Sequence, residues 1–201
     1  MIESPVFPRR AAFAAIAAVS LLLGGCGINN IPTYKQQVDA SWSQVLNEYQ
    51  RRTDLVPNLV ATVKGYATHE AAVLEAVTAA RAKVTQTTIP ADILTNPKAF
   101  QAFQANQATL GGALSRLMMV TENYPNLKAD QNFLALQSQL EGTENRIAVA
   151  RRDYILAVQQ YDTEITTIPG SLYHAVFYGS YKPIQNFTIS EQAQQAPTVK
   201  F

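Results

Sequence analysis

From residue 38 to residue 84 the apolar side chains recur in steps of four and three with no loss of phase: Val38, Trp42, Val45, Tyr49, Arg52, Val56, Leu59, Val63, Tyr66, Glu70, Val73, Val77, Ala80, Val84. Only Arg52 and Glu70 in this stripe are charged. Such a repeat keeps one face of an α-helix apolar throughout, and a strand cannot carry it, because strand side chains alternate with a period of two. A helix over 34–84 would be on the order of 75 Å long at about 1.5 Å per residue. It cannot bury its stripe alone, so the chain must supply helical partners. Pro57 removes one hydrogen bond and crowds the preceding turn. The stripe keeps its phase across Pro57, which predicts a kink rather than a stop. Gly65 is a second soft point.

Residues 85–97 break the pattern with Pro90 and Pro97, and Asn96-Pro97 is a helix-start signal. A second helix is expected over 98–124, with Phe100, Phe103, Leu110, Leu114, Leu117 and Met118 on one side. Gly111-Gly112 weakens its middle by about 1 kcal/mol per glycine. That predicts either close passage of another helix's backbone or a bend. Tyr124-Pro125-Asn126 reads as a turn. A third helix over 127–168 carries the stripe Phe133, Leu136, Leu140, Thr143, Ile147, Ala150, Tyr154, Val158, Tyr161, Ile165, Ile168, and Pro169-Gly170 stops it. Leu172, Ala175, Val176 and Phe177 predict a short terminal helix. The expected fold is all-α: an elongated antiparallel bundle, four-helix-bundle-like, of three long helices, the first kinked near Pro57, plus the short C-terminal helix.

The 201 residues suit one domain, and a 47% hydrophobic content excludes a disordered chain. A net charge of +1 argues against a nucleic-acid binder that relies on a basic field. The single cysteine excludes an intrachain disulfide framework and a Cys-rich zinc site. Arg9 and Arg10 precede the apolar run 11–23, in which Ser20 is the only polar residue, and Gly24, Gly25 and Cys26 follow. This is the anatomy of an export signal. Leu23-Gly24-Gly25-Cys26 resembles the lipobox of bacterial lipoproteins, with Gly24 a less common residue at its place. The resemblance implies cleavage between Gly25 and Cys26 and a lipid on the Cys26 thiol. Two or three acyl chains, at about 0.8 kcal/mol per buried CH₂, would hold the chain on a membrane. The alternative is an uncleaved anchor over 11–28. Either way the domain is exported, and Gly27 after the cysteine points to the outer membrane if the cell is Gram-negative. The expected segments are a signal peptide 1–25, a lipidated tether 26–33, a helical domain 34–187 and a disordered tail 188–201. Without residues 1–25 the chain loses Glu3, Arg9 and Arg10 and has no net charge.

No catalytic constellation is present: neither G-x-S-x-G, H-E-x-x-H nor a P-loop. His69 and His174 read as solvated or packing side chains, since zinc needs three or four ligands. No Glu-x-x-His pair of the di-iron bundles occurs. No metal and no cofactor are expected. What does stand out is polarity within and beside the apolar stripes. On the first helix these are Arg52, Asp54, Asn58, Lys64 and Glu70. On the third they are Glu141, Glu144, Asn145, Arg146 and Arg151, with Arg152 alongside. Buried charges must be paired, because an unpaired one costs several kcal/mol. These residues predict a polar layer between helices one and three that fixes register. A docking site for a partner or an anionic ligand near Pro57 is the alternative.

Three segments resemble the LemA family. One is Arg51-Arg52-Thr53-Asp54-Leu55-Val56-Pro57-Asn58-Leu59-Val60, continuing through Val63-Lys64-Gly65-Tyr66-Ala67 to His69-Glu70. The second is Asn123-Tyr124-Pro125-Asn126-Leu127-Lys128. The third runs from Leu136-Gln137 through Leu140-Glu141-Gly142-Thr143-Glu144-Asn145-Arg146 to Arg151-Arg152-Asp153-Tyr154. The resemblance spans about 33–187. It implies a bacterial envelope protein with one N-terminal membrane attachment and an elongated helical domain, and no enzymatic activity is established for the family. Many members carry a plain membrane helix where this chain has a lipobox. The function expected is a non-enzymatic, membrane-held scaffold or adaptor with a protein partner or self-association. The alternative is a binding module for a small ligand or envelope polymer through the polar layer.

Overall fold

The computed structural model describes residues 27–67 and 69–187. Among the described residues six α-helices follow in order: α1 Asn30–Lys64, α2 Ala71–Gln86, α3 Pro97–Thr121, α4 Pro125–Lys128, α5 Gln131–Thr166 and α6 Gly170–Phe177. No strand is present among the described residues. The architecture is an all-helical antiparallel bundle.

α1 runs through Pro57 without interruption and ends at Lys64. The expected single helix over 34–84 is therefore corrected: the break lies at 65–70, and 71–86 is a separate helix. The phase of the stripe survives because α2 folds back along α1, where Arg81 Nε donates to the Thr53 carbonyl at 3.2 Å. A continuous pattern of apolar positions cannot distinguish a straight helix from one folded back with both faces on the same core. Two phenols pin the fold-back. Tyr66 donates to Asp130 Oδ2 at 2.8 Å and Tyr124 donates to Glu70 Oε1 at 3.1 Å. Tyr66 accordingly leaves the core and is 43% exposed. At the other end α1 starts at Asn30, inside the segment expected to be a tether, and buries Ile31 completely.

Asn96 caps α3 by accepting from Ala99 N, with Pro97 in the first turn. The expected third helix is divided: α4 covers one turn, and Asp130 then caps α5 by accepting from Phe133 N at 2.9 Å. That bond, and next the Tyr66 hydroxyl, hold the Asp130 carboxyl below its ordinary pKa. Ile168, the last position of the predicted stripe, lies beyond the end of α5 and is 80% exposed.

α1 and α5 pair antiparallel over their length. Asn30 reaches Glu164, Glu48 reaches Arg146, Arg52 reaches Glu144 and Tyr66 reaches Asp130. The core divides into two clusters along this axis. The first centres on Trp42, Phe100, Phe103, Tyr154 and Tyr161. The second centres on Leu59, Val63, Leu110, Leu117, Leu127 and Phe133. α2 covers the second cluster. Over the first, where α2 has ended, the extended segment 181–187 takes its place: Tyr154 and Tyr161 donate to the carbonyls of Gln185 and Lys182 at 2.6 and 3.0 Å, and Gln185 N donates to Leu94 O at 2.7 Å. Phe187 then closes over Trp42, Phe100 and Tyr154 with ring centroids 5.2–6.3 Å apart. Gly170 is required at the start of α6, because any Cβ there would strike the carbonyl of Glu164.

Candidate functional site

Between the two core clusters lies a layer of buried polar groups: Glu48, Arg52, Thr53, Gln107 and Thr143. Arg52 is its centre. From the buried face of α1 its Nη1 donates to Glu144 Oε1 at 3.2 Å, while Nη2 donates to Gln107 Oε1 at 2.7 Å and to the Gln107 carbonyl at 3.1 Å. Its guanidinium also lies 5.0 Å from the Tyr49 ring centroid. Nε alone makes no hydrogen bond to the protein. One turn earlier, Glu48 accepts from Arg146 Nε at 3.0 Å, and Arg146 Nη2 donates to Thr143 at 2.9 Å. Two ion pairs therefore join α1 to α5 in a crossed order of charge: acid then base on α1, base facing acid on α5. A slip of α1 by one turn would bring Glu48 opposite Glu144. Such a slip would set two carboxylates against each other in place of two ion pairs.

Arg52, Glu144 and Arg146 meet in this layer, and Arg151 sits half-buried beside it with its guanidinium 4.5 Å from the Phe187 ring. The other expected members lie elsewhere. Asp54 is exposed and accepts from Gln50 on its own helix. Asn58 and Lys64 are exposed. Glu70 belongs to the fold-back turn. Glu141 accepts from Gln137 on the outer face of α5, and Asn145 is exposed nearby. The layer also reaches beyond α1 and α5. Gln107 comes from α3, and Arg81 of α2 touches it through the Thr53 carbonyl. Gln107 was detectable by the rule that singled out Arg52, since it interrupts the stripe Phe103, Leu110, Leu114 at a helical step. Glu48 gave no such signal, being adjacent to the stripe rather than on it.

A cleft of about 670 Å³ opens over the layer between α3 and α5. Tyr49, Arg52, Gln104, Gln107, Glu144, Arg151 and Phe187 line it, with Gly111 and Gly112 on the α3 side. Burial pushes the Tyr49 phenol above its ordinary pKa, against the pull of Arg151 and Arg52. A Cβ placed on Gly111 would lie 3.6 Å from Arg52 Nη1. What passes close to Gly111 is therefore a guanidinium, not the backbone of another helix, and Gly112 faces open space. A second groove, lined by Leu114, Met118, Leu140, Glu141 and Asn145, shares Gly111 and Glu144 with the cleft.

His174 meets the Tyr181 carbonyl through Nε2 at 2.6 Å, and His69 is exposed. No cluster of three His, Cys, Asp or Glu side chains able to hold a metal ion occurs among the described residues. No helix among them is long and apolar enough to cross a membrane. Gly25 and Cys26 lie outside the described residues.

Among known proteins, the chain is similar to two curated proteins of Paramagnetospirillum magneticum (strain ATCC 700264 / AMB-1), Magnetosome protein MamQ 1 and Magnetosome protein MamQ 2. Each is 35% identical over 77 residues. The matched stretch covers 38% of this chain and 28% of each relative. The model of the LemA family matches residues 41–201, which takes in α1 from its fourth turn onward and every later helix. The chain belongs to the LemA family.

Proposed function

We propose that this LemA-family chain is an exported, membrane-held helical scaffold that presents its bundle to a protein partner and performs no catalysis. The antiparallel pairing of α1 with α5 carries this reading. Gly27 stands at one end of the bundle, and the Tyr66–Asp130 turn stands at the other, beyond the 35 residues of α1. A chain attached at Cys26 would project that turn roughly 50 Å from its anchor, at about 1.5 Å per helical residue. The charged groups of the central layer are spent on one another, which suits a strut better than a reaction centre.

The test is in-cell crosslinking of the membrane fraction followed by mass spectrometry, with native protein beside Cys26→Ser, Asn58→Ala and Arg146→Ala. A scaffold yields a specific partner that is lost with the anchor. Crosslinks confined to copies of this chain would replace the adaptor with a self-assembling element. Intact capture by both folded α1 and α5 variants would remove Asn58 and Arg146 from the interface.

The cleft favours a second reading, a site for a small ligand or a fragment of an envelope polymer. Its glutamines, Arg151 and the Phe187 ring offer hydrogen bonds, a positive charge and a stacking face. A ligand that binds the native state raises the Tm. A flat thermal-shift screen across envelope glycan and peptide fragments would dismiss it.

A further inference from the structure

On α6 and in the connection just before it, large apolar side chains turn outward. Ile168, Leu172 and Val176 follow one another at steps of four and are 80%, 60% and 71% exposed; Phe177 beside them is 61% exposed. Isolated exposed apolar residues are ordinary, but four within residues 168–177, at one end of a bundle, are not. Tyr173 on α6, with Tyr178 and Tyr181 after it, is half-buried against the first core cluster. Between Glu164 and Lys182 the chain has no Asp, Glu, Lys or Arg. In a protein only 15% charged this remains a long gap, and it coincides with the outward face.

The position of this face identifies its occupant. The backbone of Gly27 lies against the Tyr173 ring, where a Cβ would sit 3.4 Å from Cε2. Asn30 Nδ2 donates to Glu164 Oε1 at 3.2 Å, so the beginning of α1 and the end of α5 meet beside α6. Cys26 is the next residue in sequence, and consecutive Cα atoms are about 3.8 Å apart. The point at which the proposed anchor joins the domain is therefore adjacent to the uncharged face. Tyrosines at its margin, with Lys182 beyond them, match the composition of a membrane–water interface, where amphipathic rings and snorkelling lysines sit.

We propose that Ile168, Leu172, Val176 and Phe177 form a membrane-contact surface that seats the base of the bundle in the lipid interface beside Cys26. It builds on the reading of Cys26 as the anchor and adds a second, non-covalent contact. One flexible attachment leaves a bundle free to tumble, whereas an attachment plus an inserted apolar face fixes its tilt. The outward face would bury its side chains at the boundary of headgroups and acyl chains, as interfacial amphipathic helices do.

The test uses the full chain, purified from membranes and reconstituted in phosphatidylethanolamine–phosphatidylglycerol vesicles that carry a doxyl-lipid quencher. Ala175→Cys, exposed on α6, and Met119→Cys, 66% exposed near the far end of α3, are each labelled with a fluorophore. Flotation reads the anchor and quenching reads the surface. The expected result is a floating protein whose label at 175 is roughly halved in emission while the label at 119 is unaffected. Adding Leu172→Glu and Val176→Glu is expected to abolish the quenching at 175 and leave flotation unchanged. A floating protein with both labels in water overturns the membrane contact and leaves the anchor standing. A chain that fails to float, with both labels in water, overturns the two together. Shielding of the 175 label in the absence of lipid, with dimers by native mass spectrometry, would assign the face to a second copy and overturn the proposal.

Discussion

Arg52 on α1 reaches Gln107 on α3 twice with one nitrogen, donating to its side-chain oxygen at 2.7 Å and to its main-chain carbonyl at 3.1 Å. The same guanidinium holds Glu144 of α5 through its other terminal nitrogen. One side chain thus ties three helices at the level where the two apolar clusters part. Arg52→Ala opens a hole and strips Gln107 of its buried donor, a loss expected to cost about 3 kcal/mol. Arg52→Met loses the same bonds to Gln107 but fills the space that alanine leaves empty, so it is expected to cost less by the cavity term. Glu144, whose side chain is 45% exposed, contributes little through screened charge, so Glu144→Gln stays within about 1 kcal/mol. Urea unfolding of the three variants checks the order, and equal losses would refute it.

The glycine pair of α3 separates propensity from packing. A Cβ on Gly112 meets nothing within 4 Å, so Gly112→Ala should stabilise by roughly 0.5–1 kcal/mol through helix propensity alone. Gly111→Ala brings its methyl into ordinary contact with Arg52 and should be nearly as favourable, while Gly111→Leu should fill the cleft. Thermal unfolding reads both. A large loss for Gly111→Ala would mean that the guanidinium has no room to yield.

Phe187 caps the first cluster from outside the helices, on an extended segment held by backbone carbonyls. Phe187→Ala should destabilise by about 3 kcal/mol and uncover Trp42. Trp42 is the only tryptophan, so its emission should shift to the red before global unfolding. Unchanged emission would show that the segment does not cover the ring.

At high pH the phenols under that same segment set the limit. Burial, aided by Asp162, pushes Tyr161 up to about 12, and burial pushes Tyr154 well above its ordinary value. A phenol raised in the folded state contributes stability that is fully present below its unfolded pKa of about 10 and is lost as pH rises through the folded value. Stability should therefore fall from about pH 10 to pH 12, and phenolate absorbance should show a group of tyrosines that ionise only on unfolding. Tyr161→Phe should remove part of that alkaline loss while forfeiting the bond to the Lys182 carbonyl. Simple titration of every tyrosine near pH 10 in the folded protein would contradict it.

The helical class, the buried stripes of α1, α3 and α5, the cap at Asn96 and the uninterrupted passage of α1 through Pro57 follow from local chemistry. Periodicity, capping geometry and proline sterics act within a few residues, so they are legible one segment at a time. The fold-back at 65–70 was not legible, because folding a helix onto its neighbour preserves the phase of the stripe. Nor could local pattern show that the loop after α6 would stand in for α2 over the first cluster, since its carbonyl bonds to Tyr154 and Tyr161 are long-range. The polar layer divides in the same way. That Arg52 must find partners was dictated by its place in an apolar stripe; that Gln107, Glu144 and not Asp54 or Lys64 stand near it was decided by the crossing of α1, α3 and α5. A sequence states which groups must be satisfied when buried, and only the packing of distant segments determines which neighbours satisfy them.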